Sequence, residues 1–322
     1  MHTSPKVSVL MPVYNGAKYL REAVDSILGQ TFGDFEFIVI DDGSTDDSVQ
    51  IVESYDDPRI RFLRNPTNEG LIATLNKGLN LAAGQYIARM DCDDVSLPER
   101  LARQVAFMES RPELAASGTW ARDIDSGGKV IGERHTPPVG ARMEYDFWYP
   151  SPLIHPTAII RAACLGEMRY DPQALHAEDY DLWLRLRKRY RLDNLPEELL
   201  LYRVHGESVT QKHMGTQLSS ASKALSRYTG LSISVEAFLE LVGLSRKLNP
   251  ARRALLRWRL ARAIGQPYRN FRGEDIEYGK EWLRARLTAD AVRSQLLRVP
   301  RYLRRRLGSR AADDSLKPRG SD

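Results

Sequence analysis

The sequence contains little cysteine and no long apolar run. Cys92 and Cys164 are the only cysteines in 322 residues, too few for a framework of disulfides. This excludes the small disulfide-stabilised class and fits a reducing compartment. No stretch approaches the roughly 20 consecutive apolar residues of a membrane span, and residues 1–12 lack the apolar segment of a secretory signal. We therefore expect a cytoplasmic protein.

The charges are divided unevenly along the chain. Residues 221–322 carry 23 Lys and Arg against 10 Asp and Glu, a net charge of +13, whereas residues 1–220 carry 24 against 32, a net charge of −8. Hydrophobic residues make up 42% of the chain and charged residues 28%, which suits a soluble globular protein. The length allows one large domain plus an appendage. The asymmetry predicts an enzymatic part at 1–220 and an attachment part after it.

The first 110 residues alternate short β-branched runs with stretches of helical spacing. Strands are predicted at 6–13, 35–40, 59–63 and from 85 onward, and helices at 17–28, 46–55, 68–82 and 97–110. Ser44 or Thr45 is placed to cap the second helix. Because such alternation requires right-handed crossovers and a parallel sheet, we predict the α/β fold class.

Carboxylates follow two of these strands. Asp41 and Asp42 end the second strand, and Asp91, Asp93 and Asp94 end the fourth. Open α/β sheets bind their ligands at this carboxyl edge. Closely spaced carboxylates repel each other unless a cation lies among them, and Mg²⁺ or Mn²⁺ takes oxygen ligands from carboxylates and substrate phosphates. The pattern predicts a metal-assisted diphosphate site; the alternatives are a solvated acidic loop and, for the first pair, an Asx turn.

Five motifs occur in order along this part of the chain: MPVYNGAKYLREAVDSILGQT, FIVIDDGSTDDS, NEGLIATLNKGL, GQYIARMDCDD and LPERLARQVAFM. Together they resemble the family 2 glycosyltransferases with a GT-A fold, and the resemblance covers roughly the first two hundred residues. It implies a Rossmann-like, mostly parallel sheet flanked by helices. It also implies transfer of a sugar from a nucleotide diphosphate donor, with inversion at the anomeric carbon.

The resemblance further implies a nucleotide site and a metal site. The matching positions are Pro12, Tyr14, Asp41, Asp42, Asp91 and Asp93. The first two would lie beside the nucleotide, and one of the next two would accept the N3–H of uracil. The last two match the family's metal and ribose carboxylates. Leu75 stands where many relatives have Arg, so a donor contact through that arginine is not expected here.

The stretch HAEDYDLWLRLRKRY carries the other half of the predicted site. Its spacing predicts a helix whose first turn holds Glu178 and Asp179, although acidic residues favour helix starts for stability alone. The resemblance matches Asp179 to the catalytic base, which takes the proton of the attacking hydroxyl. Glu178 is left to orient the acceptor or the helix start. Trp183, one turn further, is predicted to stack on an acceptor sugar, with core packing as the alternative.

Cationic side chains near these carboxylates come from two segments. Arg89 precedes the second Asp group and is predicted to be its ion-pair partner, with a phosphate contact as the alternative. The segment LLLYRVHGES resembles the family's Tyr-Arg-x-His segment, which implies that Arg203 and His205 contact the diphosphate and that His205 completes the metal site. Three other histidines lack such a motif and stay unassigned: His155, His176 and His213.

The residues after 220 are basic and helical in pattern. Apolar residues beside clustered Arg at 221–310 predict amphipathic helices on an anionic membrane; the alternative is a helical bundle with a solvated basic face. Nucleic acid is not predicted, since no recognition motif accompanies the charge. Residues 311–322 are predicted to be disordered.

These observations predict an inverting, metal-dependent hexosyl- or N-acetylhexosaminyl-transferase. It would use a UDP-sugar and act on a saccharide acceptor, lipid-linked or growing, at the inner face of the membrane. One alternative is a nucleotidyltransferase, but residues 11–20 lack the Gly-rich basic phosphate loop that such an enzyme needs. Another is a catalytically silent sugar-nucleotide binding module, which the presence of both acidic motifs disfavours.

Overall fold

The first half of the chain alternates strands and helices as the sequence predicts. A computed structural model describes residues 4–136, 151–205 and 213–241. The first elements are β1 (Val7–Val13), α1 (Ala17–Leu28), β2 (Phe35–Asp41), α2 (Ser48–Glu53), β3 (Ile60–Arg64), α3 (Leu71–Leu81) and β4 (Tyr86–Arg89). Each predicted element is present, and α1 has the predicted bounds.

The second half adds strands of mixed direction and the C-terminal helices. Its elements are β5 (Val95–Ser96), α4 (Arg100–Glu109), β6 (Leu114–Ile124), β7 (Val130–Arg134), a 3-10 turn (His155–Thr157), β8 (Ile159–Arg161), α5 (Ala162–Leu165), α6 (Glu178–Arg187), β9 (Arg191–Arg203), α7 (Met214–Thr229) and α8 (Val235–Leu241). Strands β5 and β8 were not predicted, because two or three residues carry no recognisable periodicity.

One sheet joins these strands in the order β3-β2-β1-β4-β8-β6-β9-β5, with β7 paired to β6. Strands β3, β2, β1 and β4 are mutually parallel. Strand β8 runs antiparallel to both β4 and β6, and β9 runs parallel to β6. The α/β class is confirmed, but the sheet is mixed, and the predicted parallel character belongs to its first four strands.

The core lies on both faces of the sheet, because successive residues of a strand point to opposite sides. In β1, Val7, Val9 and Met11 pack in the same apolar cluster as the buried residues of α1, and Leu10 packs in the cluster that contains α3. Helix α3 approaches β1 closely: a Cβ on Gly78 would lie 2.1 Å from Leu10 Cδ1. Full burial of each such Val or Leu contributes roughly 1.5–3 kcal/mol, so this layering holds the carboxyl edge of the sheet in place.

Helix α7 belongs to the same apolar core as α6. Its residues Ala221, Ala224 and Leu225 are buried in the cluster that also contains the apolar residues of α6. Arg227 of α7 pairs with Asp181 at 2.9 Å. The predicted domain boundary at residue 220 lies within α7.

Several predictions made from the sequence lie outside the described residues. They concern the predicted basic helices beyond residue 241 and the predicted disorder at 311–322. Among the residues that the structure describes, none of the helices combines the length and the apolar character that a membrane crossing needs.

Candidate active site

The carboxyl ends of β1, β2 and β4 bring the predicted site residues to one edge of the sheet. In the parallel register, Val13 lies opposite Asp41, and Leu10 lies opposite Arg89. Pro12 is buried within β1, whereas the Tyr14 side chain just after β1 is exposed. The residues predicted to contact the nucleotide therefore converge on the crevice where such sheets bind ligands.

The loops after β1 and β2 are joined by hydrogen bonds. Asn15 N–H donates to Ser44 Oγ at 2.9 Å and Ala17 N–H to Asp46 Oδ2 at 3.0 Å, so the second loop satisfies donors at the start of α1. The predicted cap of α2 by Ser44 or Thr45 is wrong, because the capping position is Asp47 and no side chain caps that helix.

Asp42 is fully engaged by the protein. Its Oδ1 accepts hydrogen bonds from Asn65 Nδ2 at 2.7 Å and Glu69 N–H at 2.9 Å, and its Oδ2 accepts one from Gly70 N–H at 2.9 Å. These bonds hold the loop before α3 against the end of β2. They also explain why α3 begins at Leu71, later than the apolar pattern predicts.

Asp41, by contrast, retains an unused acceptor. Its Oδ2 accepts the Ser44 N–H at 3.1 Å, while its Oδ1 is buried and has no partner in the structure. The turn beside it requires glycine, since Gly43 has φ +73° and a Cβ there would lie 2.5 Å from the Thr67 carbonyl carbon. Of the two candidates for the base contact, Asp41 has the free oxygen.

Asp91, Asp93 and Asp94 bring carboxylate oxygens within 4.8 Å of one another. Burial, the largest cause, raises the pKa of both Asp91 and Asp94, and the charge of Asp93 raises both further. Asp94 Oδ1 accepts the Arg203 N–H at 2.7 Å, whereas its buried Oδ2 has no partner among the described residues. A set of oxygen donors with an unpaired buried atom fits a hard divalent cation.

Arg89 lies among the carboxylates of both motifs. It is buried and forms an ion pair with Asp91, which matches the predicted pairing. Burial raises the pKa of Glu178 and of Asp179, and the positive charge of Arg89 opposes that rise in both. The guanidinium that pairs with Asp91 therefore also acts electrostatically on the second acidic motif. The arrangement follows from the sheet, because β4 carries Arg89 next to β8, which leads towards α6.

Glu178 and Asp179 occupy the first turn of α6, as predicted. Glu178 is buried, and burial raises its pKa to about 8. Asp179 is half-buried, and burial raises its pKa as well. At neutral pH Glu178 is therefore mainly protonated, while the less buried Asp179 is the better placed of the two to accept a proton.

His205 is brought to the metal candidate, as predicted: its Nε2 lies 2.9 Å from Asp93 Oδ2, and its ring packs against Tyr19. Arg203 has a different place. Its guanidinium donates to the Asp93 carbonyl at 2.8 Å, the Asp125 carbonyl at 3.2 Å and Glu22 at 2.5 Å. The side chain is buried among these partners, so the predicted diphosphate contact is not supported. Arg203 instead stabilises the loop that carries Asp93 and Asp94.

The prediction that Trp183 stacks on an acceptor sugar is wrong. Trp183 is fully buried in the core cluster shared by α6 and α7. Trp183 follows Asp179 by one helical turn. Its side of α6 is nevertheless covered by α7, so Trp183 does not face the candidate site.

A second group that combines histidine and carboxylates lies at β6, β7 and β9. His135 Nε2 is 2.9 Å from Glu198 and 3.8 Å from Glu133. Arg122 also pairs with Glu198, and the His135 ring lies 4.2 Å from that of Trp120. The Arg122 guanidinium already neutralises Glu198, and the group is largely exposed to solvent. We therefore interpret it as a surface ion-pair network.

Comparison with known proteins agrees with this geometry. The glycosyl transferase family 2 model matches residues 8–167. Putative glycosyltransferase EpsE of Bacillus subtilis is 36% identical over 219 residues, covering 65% of this chain and 76% of EpsE. The O-antigen biosynthesis glycosyltransferase WbnJ of Escherichia coli is 34% identical over 242 residues, covering 73% of this chain and 89% of WbnJ. The chain belongs to glycosyl transferase family 2.

Solved structures show the same fold for this family 2 glycosyltransferase. S. aureus TarS 1-349 in complex with UDP-GlcNAc matches with a TM-score of 0.57 at 20% identity, over 92% of this chain and 82% of that one. Mannosyltransferase PcManGT from Pyrobaculum calidifontis, in complex with GDP-Man and Mn²⁺, matches with a TM-score of 0.58 at 16% identity, over 92% and 85%. The predicted GT-A fold is confirmed.

Some residues that build the transferase site were missed by sequence reasoning. Arg100 donates to the Arg89 carbonyl at 3.1 Å and to the Pro156 carbonyl at 2.6 Å, and Asn65 holds Asp42. Arg100 lies in the LPERLARQVAFM motif, so the motif indicates that this residue matters but does not indicate what it contacts. Asn65 carried no local signal, because its partners lie 9 and 23 residues away.

Proposed function

We propose that this glycosyltransferase moves a sugar, with inversion, from a UDP-sugar to a hydroxyl of a saccharide acceptor, assisted by a divalent cation. The observation that carries the proposal is Arg89, which pairs with Asp91 of the Asp91–Asp93–Asp94 group and whose charge also acts on Glu178 and Asp179. A site for a leaving diphosphate then lies beside a carboxylate that can take a proton, which is the pairing that glycosyl transfer needs.

The donor nucleotide would lie along the ends of β1 and β2. The free Oδ1 of Asp41 is an acceptor suited to the N3–H of uracil, and the exposed Tyr14 ring, just after Pro12, offers a surface for the base. The complex of TarS, which has the same fold, with UDP-GlcNAc gives independent support for a UDP-linked donor.

Asp91 and Asp93 would hold Mn²⁺ or Mg²⁺, with His205 beside them. Both carboxylates are partly exposed, which leaves room for a cation and for phosphate oxygens. When bound, the cation would neutralise the negative charge that develops on the diphosphate. The complex of PcManGT with GDP-Man and Mn²⁺ supports a metal in this fold.

Asp179 would act as the base. The acceptor oxygen forms its bond to the anomeric carbon, its proton passes to Asp179, and the bond from that carbon to the diphosphate breaks. The attack comes from the side opposite the leaving group, which gives inversion. Glu178, mainly protonated at neutral pH, would orient a substrate oxygen by a hydrogen bond.

The acceptor would be a lipid-linked or growing surface saccharide at the inner face of the membrane. Two relatives support this class: WbnJ, and the putative colanic acid biosynthesis glycosyl transferase WcaA of Escherichia coli, 29% identical over 71% of this chain and 80% of WcaA. The charge of the C-terminal region supports it independently, since residues 242–322 carry 21 Lys and Arg against 8 Asp and Glu.

We expect Asp41→Asn to reverse the preference for the base. One carboxamide oxygen must still accept the Ser44 N–H, so the new NH₂ group takes the place of the free Oδ1 and faces the uracil N3–H, donor against donor. UDP affinity should fall about 10- to 100-fold, whereas CDP, whose base has an acceptor at N3, should lose less or gain. Calorimetry with both nucleotides measures this.

Asp42→Asn is the matched control. It places one NH₂ group against a loop N–H, so we expect a lower free energy of unfolding, by about 1–3 kcal/mol, without a reversal of base preference. Equal losses of UDP and CDP affinity in Asp41→Asn would refute the base contact.

The proposed membrane attachment predicts salt-sensitive binding to anionic vesicles. The intact chain should sediment with them at low salt and be released at high salt, because surface charge attraction is screened. A variant that ends at residue 241 keeps the described core and should stay in the supernatant. Binding that ignores salt, truncation or lipid charge would contradict the attachment.

A further inference from the structure

A buried histidine and tyrosine lie directly behind Glu178, and neither has a role in the mechanism described so far. His155 Nε2 is 3.0 Å from the Tyr170 hydroxyl, and His155 Nδ1 is 3.9 Å from Glu178 Oε1. The other oxygen of this carboxyl, Oε2, is buried without a partner in the structure. The three side chains form a row that ends at an unpaired polar atom beside the proposed base.

The fold holds both His155 and Tyr170 in place. Arg100 and Gln104 of α4 donate to the Pro156 carbonyl at 2.6 Å and the Thr157 carbonyl at 2.7 Å, which fixes the turn that begins at His155. Tyr170 is fixed by Asn76, whose side chain exchanges two hydrogen bonds of 2.9 Å with the Tyr170 backbone. The spacing between the two rings is therefore set by helices on both faces of the sheet.

The surroundings determine which nitrogen of His155 carries the proton. Burial, followed by the charge of Arg89, lowers the pKa of His155 well below its usual value, so the ring is neutral and holds one N–H. Burial raises the pKa of Tyr170, so its hydroxyl stays protonated. The hydroxyl lies 3.0 Å from His155 Nε2, and we assign it as the donor to that nitrogen. The remaining N–H is then on Nδ1, on the side of Glu178.

We propose that His155, set in its Nδ1–H tautomer by Tyr170, is a positioning residue for Glu178. Its N–H donates to Glu178 Oε1 when substrates close the remaining gap, and Oε2–H is thereby directed at a substrate oxygen. The row Tyr170–His155–Glu178 delivers a hydrogen-bond donor, not an acceptor, to the sugar that lies beside Asp179. This inference rests on the proposed function for the last step alone.

The tautomer is measurable without any substrate. In the full-length protein, ¹⁵N chemical shifts of His155, assigned with a His155→Asn variant, should show a protonated Nδ1 and an unprotonated Nε2. Tyr170→Phe removes the hydroxyl and should shift the proton towards Nε2. A protonated Nε2 in the unmodified protein would overturn the proposal, whether or not the protein transfers sugar.

Substitutions of His155 that keep an amide at the place of only one ring nitrogen test whether the Nδ1–H matters for turnover. Asn at 155 puts an N–H near the place of Nδ1, whereas Gln puts its amide near the place of Nε2. We expect His155→Gln and Tyr170→Phe to lower kcat about tenfold, the worth of one hydrogen bond, and His155→Asn to stay within about threefold of the unmodified protein. UDP affinity should be unchanged in all three, because the donor is bound elsewhere, and the losses in kcat should not track the unfolding midpoint.

Equal losses in the Asn and Gln variants, or losses that track the unfolding midpoint, would reduce His155 to a packing residue and refute the proposal. If the Nδ1–H tautomer is observed while no UDP-sugar is turned over, the proposed function fails and the hydrogen-bonded row stands. The two failures are therefore distinguishable.

Discussion

Asp179→Asn should lower the rate of sugar transfer about 10²- to 10⁴-fold, the usual worth of a general base. Asn keeps the shape of the side chain and its place in the first turn of α6, but it cannot take a proton. UDP affinity should stay nearly unchanged, because the proposed donor contacts come from β1, β2 and the loop after β4. The measurement is turnover with a competent acceptor, paired with calorimetry for UDP on the same variant.

The matched control is the adjacent carboxyl. Glu178 is buried with a pKa of about 8, so Glu178→Gln replaces a mainly protonated group by a neutral one and should cost much less than Asp179→Asn. Since the pKa of Asp179 is raised, the rate should fall as the pH falls through that pKa and Asp179 becomes protonated. Wild-type turnover in Asp179→Asn, or a joint loss of turnover and UDP binding, would show that Asp179 is not the base.

Asp93→Ala should abolish the dependence of UDP binding on a divalent cation. The variant removes one of the two partly exposed carboxylates of the group and also the partner of His205. A cation at a diphosphate contributes several kcal/mol, so UDP affinity in Mn²⁺ should fall at least about tenfold, towards the metal-free value. Titrations of UDP with and without Mn²⁺ provide the test.

Glu198→Ala is the control for that titration. Glu198 belongs to the surface group that also combines histidine and carboxylates but is paired with Arg122. We expect this variant to keep metal-dependent UDP binding. If the unmodified protein binds UDP equally with and without Mn²⁺, the role of Asp91 and Asp93 as metal ligands is wrong.

The sequence predicted the regular half of the fold well, because its elements rest on local patterns. Apolar spacing set both ends of α1, and the β-branched runs located β1 and β2 to within a residue. The antiparallel pairs that involve β5 and β8 could not be predicted, since these two strands are too short to show any periodicity. Their pairing depends on β9 and β4, which lie far away in the chain.

The site was predicted as a set of residues but not as a set of roles. Asp41 and Asp42 are equivalent in sequence, and Asn65 and the N–H groups before α3 decide which of them has a free oxygen. The helical spacing alone predicts an acceptor contact for Trp183. The sequence does not show that α7 packs against α6 and buries this side chain. The sequence motif places Arg203 at the diphosphate. Its actual partner, Glu22, lies 181 residues away in the chain, so the sequence gives no sign of that ion pair.

Arg100 has a consequence for the choice of acceptor hydroxyl. Its one guanidinium bonds the carbonyl at the end of β4, which leads to the proposed metal carboxylates, and the carbonyl of the turn behind Glu178. Arg100 thus sets the spacing between the end of β4 and the turn behind Glu178. Inversion requires the entering and departing oxygens to be collinear with the reacting carbon. Under the proposed inverting mechanism, this fixed spacing would select the acceptor hydroxyl by its distance from the leaving phosphate, so regiochemistry would depend on the geometry of the fold as well as on sugar recognition.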